Sequence, residues 1–221
     1  IETPRGVHYN WITQILPYIE QRGVYRHFNF NVGVYDQANL TVRRVTISTL
    51  VCPSDAGVRG AAAPATTMTV PEGADSLGQD VVDVEHGNYA GVYHDLEAPI
   101  NVKQNGVFFL NSAIRYEDVE DGSTNTIFLG EHVQEADLGW ASGTRSTLRN
   151  TDAPPSTARW GATPPALAVG YVGGFSSRHP GGSNVCMGDG SVRFLKGTIN
   201  ISVLHKLGNR HDGDFVSSDE W

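Results

Sequence analysis

The chain has 221 residues and a mass of 23.9 kDa, enough to bury a real core in one large domain or one domain with insertions. A net charge of -8, with few and scattered Arg and Lys, argues against phosphate neutralisation and so against a nucleic-acid partner. With 39% apolar and 18% charged residues, 25 Gly and 11 Pro, the composition predicts turns and short strands rather than a helical bundle.

From His8 to about Tyr25, Trp11, Ile12, Ile15, Leu16 and Ile19 recur at helical spacing, which predicts an amphipathic helix or two short ones. Pro17 lacks an amide proton and clashes with the preceding turn, so a kink or fresh start is expected at Ile15 to Pro17. A second short helix is expected within Gln37 to Leu50, followed by an apolar strand from Leu50 halted at Pro53-Ser54-Asp55. Residues 57–80, rich in Ala, Thr, Pro and Gly, read as a long surface loop.

Two strands are expected at Gly87 to Tyr93 and Gly106 to Leu110, then a turn at Asp121-Gly122 and a strand over Thr126 to Glu131. Residues 142–165, with two Pro-Pro pairs, read as a second loop insertion. Near the C-terminus, Asn184 to Met187 and Ser191 to Leu195 flank Gly188-Asp189-Gly190, a strong local signal for a hairpin. Ile199 to Leu207 predicts a last short helix with Ile201, Leu204 and Val203 turned inward. The whole chain is expected to be one α+β domain.

No apolar run reaches the ~18 residues that span a bilayer, and no signal peptide is visible, so the sequence reads as a soluble portion, mature or trimmed. Cys52 and Cys186 belong to no C-x-x-C pair, which makes a zinc site a poor fit. In an oxidising compartment they could close one long-range disulfide, and in a reducing one they would be two buried thiols.

His179 is followed by nine residues and then Asp189-Gly190, within HPGGSNVCMGDGSVRFL. This resembles a bacterial family of uncharacterised proteins named for an H-X9-DG motif, whose members begin with a prepilin-type cleavage and methylation segment. Other blocks resemble the family in order: Ile15 to Gln21, Val51 to Asp55, Asn105 to Phe109, Asp121 to Thr126 with Gly130-Glu131, and Leu207 to Ser217. The resemblance implies a pseudopilin-like head with an N-terminal helix packed on an antiparallel sheet and long loop insertions. It further implies a non-enzymatic structural subunit of a pilin-like fibre or type II secretion-type apparatus. Its partners would be other pilin-like subunits, a homo-oligomer or secreted cargo. Its place would be the periplasm or cell surface, reached through a membrane-anchoring helix that this chain lacks.

His179 and Asp189 could form a metal or acid-base couple if a hairpin brought them together. The glycines around them and the turn-forming capacity of Asp189 explain the segment without any chemistry, as they do for Gly190, Asp121, Gly122 and Glu131. His179, Glu131, Asp121 and His132 could converge in space, but the sequence names no nucleophile for them to activate. The oxygen-rich runs Glu117 to Asp121 and His211 to Asp214 could bind calcium, though neither has EF-hand spacing. Trp11, Tyr18, Tyr25, Phe28 and Phe30 are expected in a core. Trp140 and Trp160, if exposed, would suit a glycan or partner, the alternative being an extracytoplasmic binding module.

Overall fold

A computed structural model describes residues 7–55, 84–133, 138–157, 170–217 and 220. The fold is mixed α+β, and its contacts group into two compact units. The first, a helical unit, comprises Glu2–Gly87 with Gln134–Thr147; the second, a sheet unit, comprises Asn88–Val133 with Leu148–Trp221.

In the helical unit, Asn10 starts the chain's first helix because its side-chain oxygen accepts the Thr13 amide at 3.0 Å, satisfying an otherwise orphaned donor. Helix α1 runs Trp11–Ile15, a 3-10 turn follows over Leu16–Tyr18 with Pro17 at its start, and α2 covers Arg22–His27. The break falls where Pro17 predicts it. Ile12 and Leu16, one helical turn apart, are fully buried with Phe28, Val34, Val42, Ile47, Leu50 and Trp140. The second predicted helix appears as the 3-10 turn Gln37–Asn39, α3 at Leu40–Arg43 and the 3-10 turn Ser48–Leu50. The strand expected from Leu50 is absent among the described residues; the chain turns back into a helical conformation at 53–55.

The sheet unit holds a five-stranded sheet in the order β3-β1-β2-β6-β7. Its strands are β1 Tyr89–His94, β2 Ile127–Glu131, β3 Leu148–Asn150, β6 Gly182–Met187 and β7 Val192–Lys196. A second, two-stranded parallel sheet, β4 Ser156–Thr157 and β5 Ser176–Ser177, lies beside β6 without joining its ladder. Three of the four pairings in the large sheet are antiparallel, but β3 runs parallel to β1, so the sheet is mixed rather than antiparallel throughout.

Strand β3 sits inside the stretch read as the 142–165 loop. Its Leu148, Arg149 and Asn150 are all buried, and polar residues in a three-residue strand leave no alternating apolar pattern to detect. The 57–80 loop lies outside the described residues. Gly106 to Leu110 is not a strand either. The amides of Val107 and Phe108 both donate to the Val92 carbonyl, at 2.9 and 2.8 Å, so this segment crosses close to β1 without forming a ladder.

The helix that packs within the sheet unit is the C-terminal one, α4, Ile201–Gly208. Asn200 caps it by accepting the Ser202 amide at 2.9 Å. Val203, Leu204 and Leu207 enter a core with Val92, Ile127, Phe175, Val185, Met187 and Leu195, whereas Ile201, expected inside, is 39% exposed. Among the described residues no helix is long and apolar enough to cross a membrane.

Candidate functional site

Strand β6 organises the residues that the sequence singles out. Just before it, Gly181 adopts φ +84, a conformation that favours glycine. A side-chain carbon on Gly182 would overlap the Leu195 carbonyl oxygen, so β6 can lie against β7 only with glycine there. This turn sets the His179 imidazole against β2, with Nε2 3.0 Å from Glu131 Oε1. At the other end, Met187 passes into the four-residue turn that leads to β7, with Gly190 at φ +84.

His179 and Asp189 therefore stand at opposite ends of one strand. Six residues at ~3.3 Å each separate the two turns by roughly 20 Å, which excludes the couple that their spacing in sequence suggested. Asp189 is a turn former: its Oδ1 accepts the Ser191 amide at 2.9 Å and the Ser191 hydroxyl at 2.6 Å. These bonds favour the charged form and hold its carboxyl below the usual range. The Asp189 amide donates to the Ser123 carbonyl and the Gly188 amide to Thr126, which pins the hairpin tip to the turn before β2.

Glu131, at the end of β2, is the most heavily bonded of the named side chains. The register of β2 with β6 ends at Gly130 and Val185, and the next β6 amide, that of Asn184, donates to Glu131 Oε2 at 2.7 Å. The Asn184 side chain donates to Oε1 at 3.2 Å and the Ser183 hydroxyl to Oε2 at 3.4 Å. The carboxylate is 4% exposed, and its lone pairs are spent on β6 and His179, so it serves as the last rung of the ladder.

Two other carboxylates do similar work. Asp121 is buried, and its two oxygens accept the amides of Asp212 and Gly213 at 2.9 and 2.7 Å, fastening the segment after α4. Glu97 accepts the amides of Val172 and Gly173, both at 2.8 Å, and the Asn150 side chain at 2.7 Å, fastening the approach to β5 to strand β3. The sequence analysis did not single out Glu97. A carboxylate that clasps two consecutive amides of a distant segment leaves no local pattern.

Of the four groups that could converge, only Glu131 and His179 do. Asp121 serves the C-terminal segment, and His132 faces a buried Arg149 guanidinium, 3.4 Å from its Nδ1. Both serine hydroxyls bonded in this neighbourhood donate elsewhere than to the imidazole. Ser177 donates to the Gly182 carbonyl at 2.5 Å, and Ser183 donates to Glu131 itself. An ion at the His179 and Glu131 pair would have to take lone pairs already engaged.

The runs considered for calcium are also engaged locally. Asp118 accepts the Arg115 amide at 2.7 Å, Glu117 pairs with the Arg115 guanidinium, and Asp212 accepts the Asp214 amide at 2.8 Å. Cys52 and Cys186 are both thiols rather than a disulfide. Partial burial raises the Cys186 pKa, which makes it a poor nucleophile at neutral pH.

Trp140 is not a surface platform. It is fully buried, packs edge-on to Phe28 with ring centres 6.0 Å apart, and donates its indole NH to the Val45 carbonyl at 3.0 Å. Trp160 lies outside the described residues. Of the aromatics expected in the core, Phe28 is buried, whereas Tyr18 is 86% exposed. The 3-10 turn that Pro17 starts carries the Tyr18 ring outward.

No curated protein and no solved structure matches this chain. Residues 2–202, most of its length and including His179, Asp189, Gly190, Asp121, Gly122 and Glu131, match the model of a family described as a protein of unknown function (DUF1559). The chain belongs to that bacterial family, DUF1559.

Proposed function

We propose that this protein is the extracytoplasmic head of a pilin-like assembly subunit, a structural component of a cell-envelope fibre or type II secretion-type apparatus, and not an enzyme. One observation carries the non-catalytic part of this reading. The motif carboxylates Glu131, Asp121 and Asp189 are all engaged by backbone amides or neighbouring side chains of their own unit. Acid-base or nucleophilic catalysis needs a group available to substrate and a partner poised to activate it. Here the imidazole of His179 meets a carboxylate that is itself occupied by β6.

The assembly part rests on the resemblance to the H-X9-DG proteins with a prepilin-type segment, carried by His179 to Gly190 and the ordered blocks before it. In this reading the motif is the architecture of a head: the nine residues between His179 and Asp189 span one turn and one strand, with a carboxylate anchoring each end.

The test follows the full-length gene product in its native bacterium, by membrane fractionation and in-cell crosslinking, with and without the prepilin peptidase. A processed, envelope-associated form crosslinked to pilin-like subunits is expected, with the unprocessed precursor accumulating when the peptidase is missing. Recovery in the cytosol, with no change of size in the deletion strain, would overturn the proposal.

A further inference from the structure

We infer that the helical unit carries a binding site for an acidic carbohydrate, in the open groove beside the 3-10 turn and α2. The groove is lined by Pro17, Tyr18, Arg22, Tyr25 and Arg26 and has a volume of about 350 Å³, at the lower end of the range for small-ligand sites.

Burial accounts for only part of this surface: Tyr25 packs against the helical core and Phe30, whereas Tyr18, Arg22 and Arg26 are exposed. Helix α2 places no buried residue in the core, and Tyr18 leaves 86% of its surface in water. Arg22 and Arg26 are four residues apart, so they project from the same face of α2. Both are exposed, and neither has an ion pair or hydrogen bond to another described residue. In a chain of net charge -8, two adjacent guanidinium groups with no ion pair to another described residue favour an anionic ligand.

The side chains narrow the class of anion. A guanidinium fork pairs with a carboxylate through two parallel hydrogen bonds. The tyrosines add flat apolar faces with polar tips, suited to the C–H face of a pyranose ring and to its hydroxyls. Inorganic phosphate would use the arginines and leave the tyrosines idle. An acidic peptide would pair its carboxylates with the arginines but, like phosphate, would bring no pyranose face to the tyrosines. A glycan containing uronic acid uses both kinds of side chain.

The experiment is a calorimetric titration of the chain with short oligogalacturonides at low salt, beside neutral maltooligosaccharides, inorganic phosphate and polyglutamate. Saturable binding of the uronide alone is expected. The double variant Arg22→Gln, Arg26→Gln should weaken it by about tenfold or more, and Tyr18→Ala by about threefold. All three side chains lie outside the core, so the variants should melt like the parent, which separates lost binding from lost folding. The inference fails if the uronide does not bind, if the double variant binds it unchanged, or if phosphate or polyglutamate binds as tightly.

Discussion

Replacing Glu131 with alanine removes the acceptor for the Asn184 amide (2.7 Å), the Asn184 side chain (3.2 Å), His179 Nε2 (3.0 Å) and the Ser183 hydroxyl (3.4 Å). The Asn184 amide is the decisive loss. It sits where the β2–β6 register ends, and a buried donor stripped of its partner costs about 1–3 kcal/mol. The charged contact to His179, with side-chain exposures of 5% and 26% for Glu131 and His179, adds about 1.5 kcal/mol, so the total is about 2.5–4.5 kcal/mol. Against a typical domain stability of ~5–15 kcal/mol, that is a large fraction. Glu131→Gln retains one oxygen for Asn184 but turns its amide toward the donors on the Oε1 side, for a smaller loss of about 1–2 kcal/mol. Urea denaturation of the three proteins, followed by circular dichroism, measures the difference as a shift in midpoint. A loss under about 1 kcal/mol for Glu131→Ala would refute the role of this carboxylate as the final rung between β2 and β6.

Gly182→Ala should destabilise the protein by at least about 2 kcal/mol, because the new carbon overlaps the Leu195 carbonyl and β7 must move; a neutral thermal melt would contradict the close approach of β6 and β7. Burial is the main cause that pushes the Asp212 carboxyl above the usual range, with Asp121 and Asp214 nearby. A carboxyl raised on folding loses stability as pH climbs through its folded pKa, so the cost is present at pH 7 and gone in strong acid. Asp212→Asn, which keeps an oxygen for the Asp214 amide, should therefore gain a few tenths of a kcal/mol at pH 7, discounted for solvent exposure, and nothing near pH 3. A loss at pH 7 would reverse the sign. Tyr93 is buried, which pushes its phenol up to about 12, and it donates to the Ala98 carbonyl; ultraviolet titration should show one tyrosine ionising last, and Tyr93→Phe should remove that step at a cost of about 1 kcal/mol.

Where structure depends on neighbours in the chain, the sequence was sufficient. The Pro17 break, the Asp121-Gly122 turn, the Gly188 to Gly190 hairpin and the strands at Tyr89 and Ile127 follow from residues within a few positions of one another. Proline geometry, glycine freedom and strand periodicity act locally. The glycines and aspartate of His179 to Gly190 likewise announce its turns.

Tertiary structure alone decided what these residues meet. No local pattern couples His179 to Glu131 across 48 positions, Asp121 to the amides at 212 and 213, or Glu97 to those at 172 and 173. Nor does one make Leu148 to Asn150 a strand, since three residues of mixed polarity become β3 only because β1 offers an edge to pair with. Trp140 looked free for a ligand among polar neighbours, yet it fills a core assembled from segments far apart in the chain. Local dihedral preferences choose the elements, whereas the pairing of buried donors with acceptors is settled by which segments the packed core brings together.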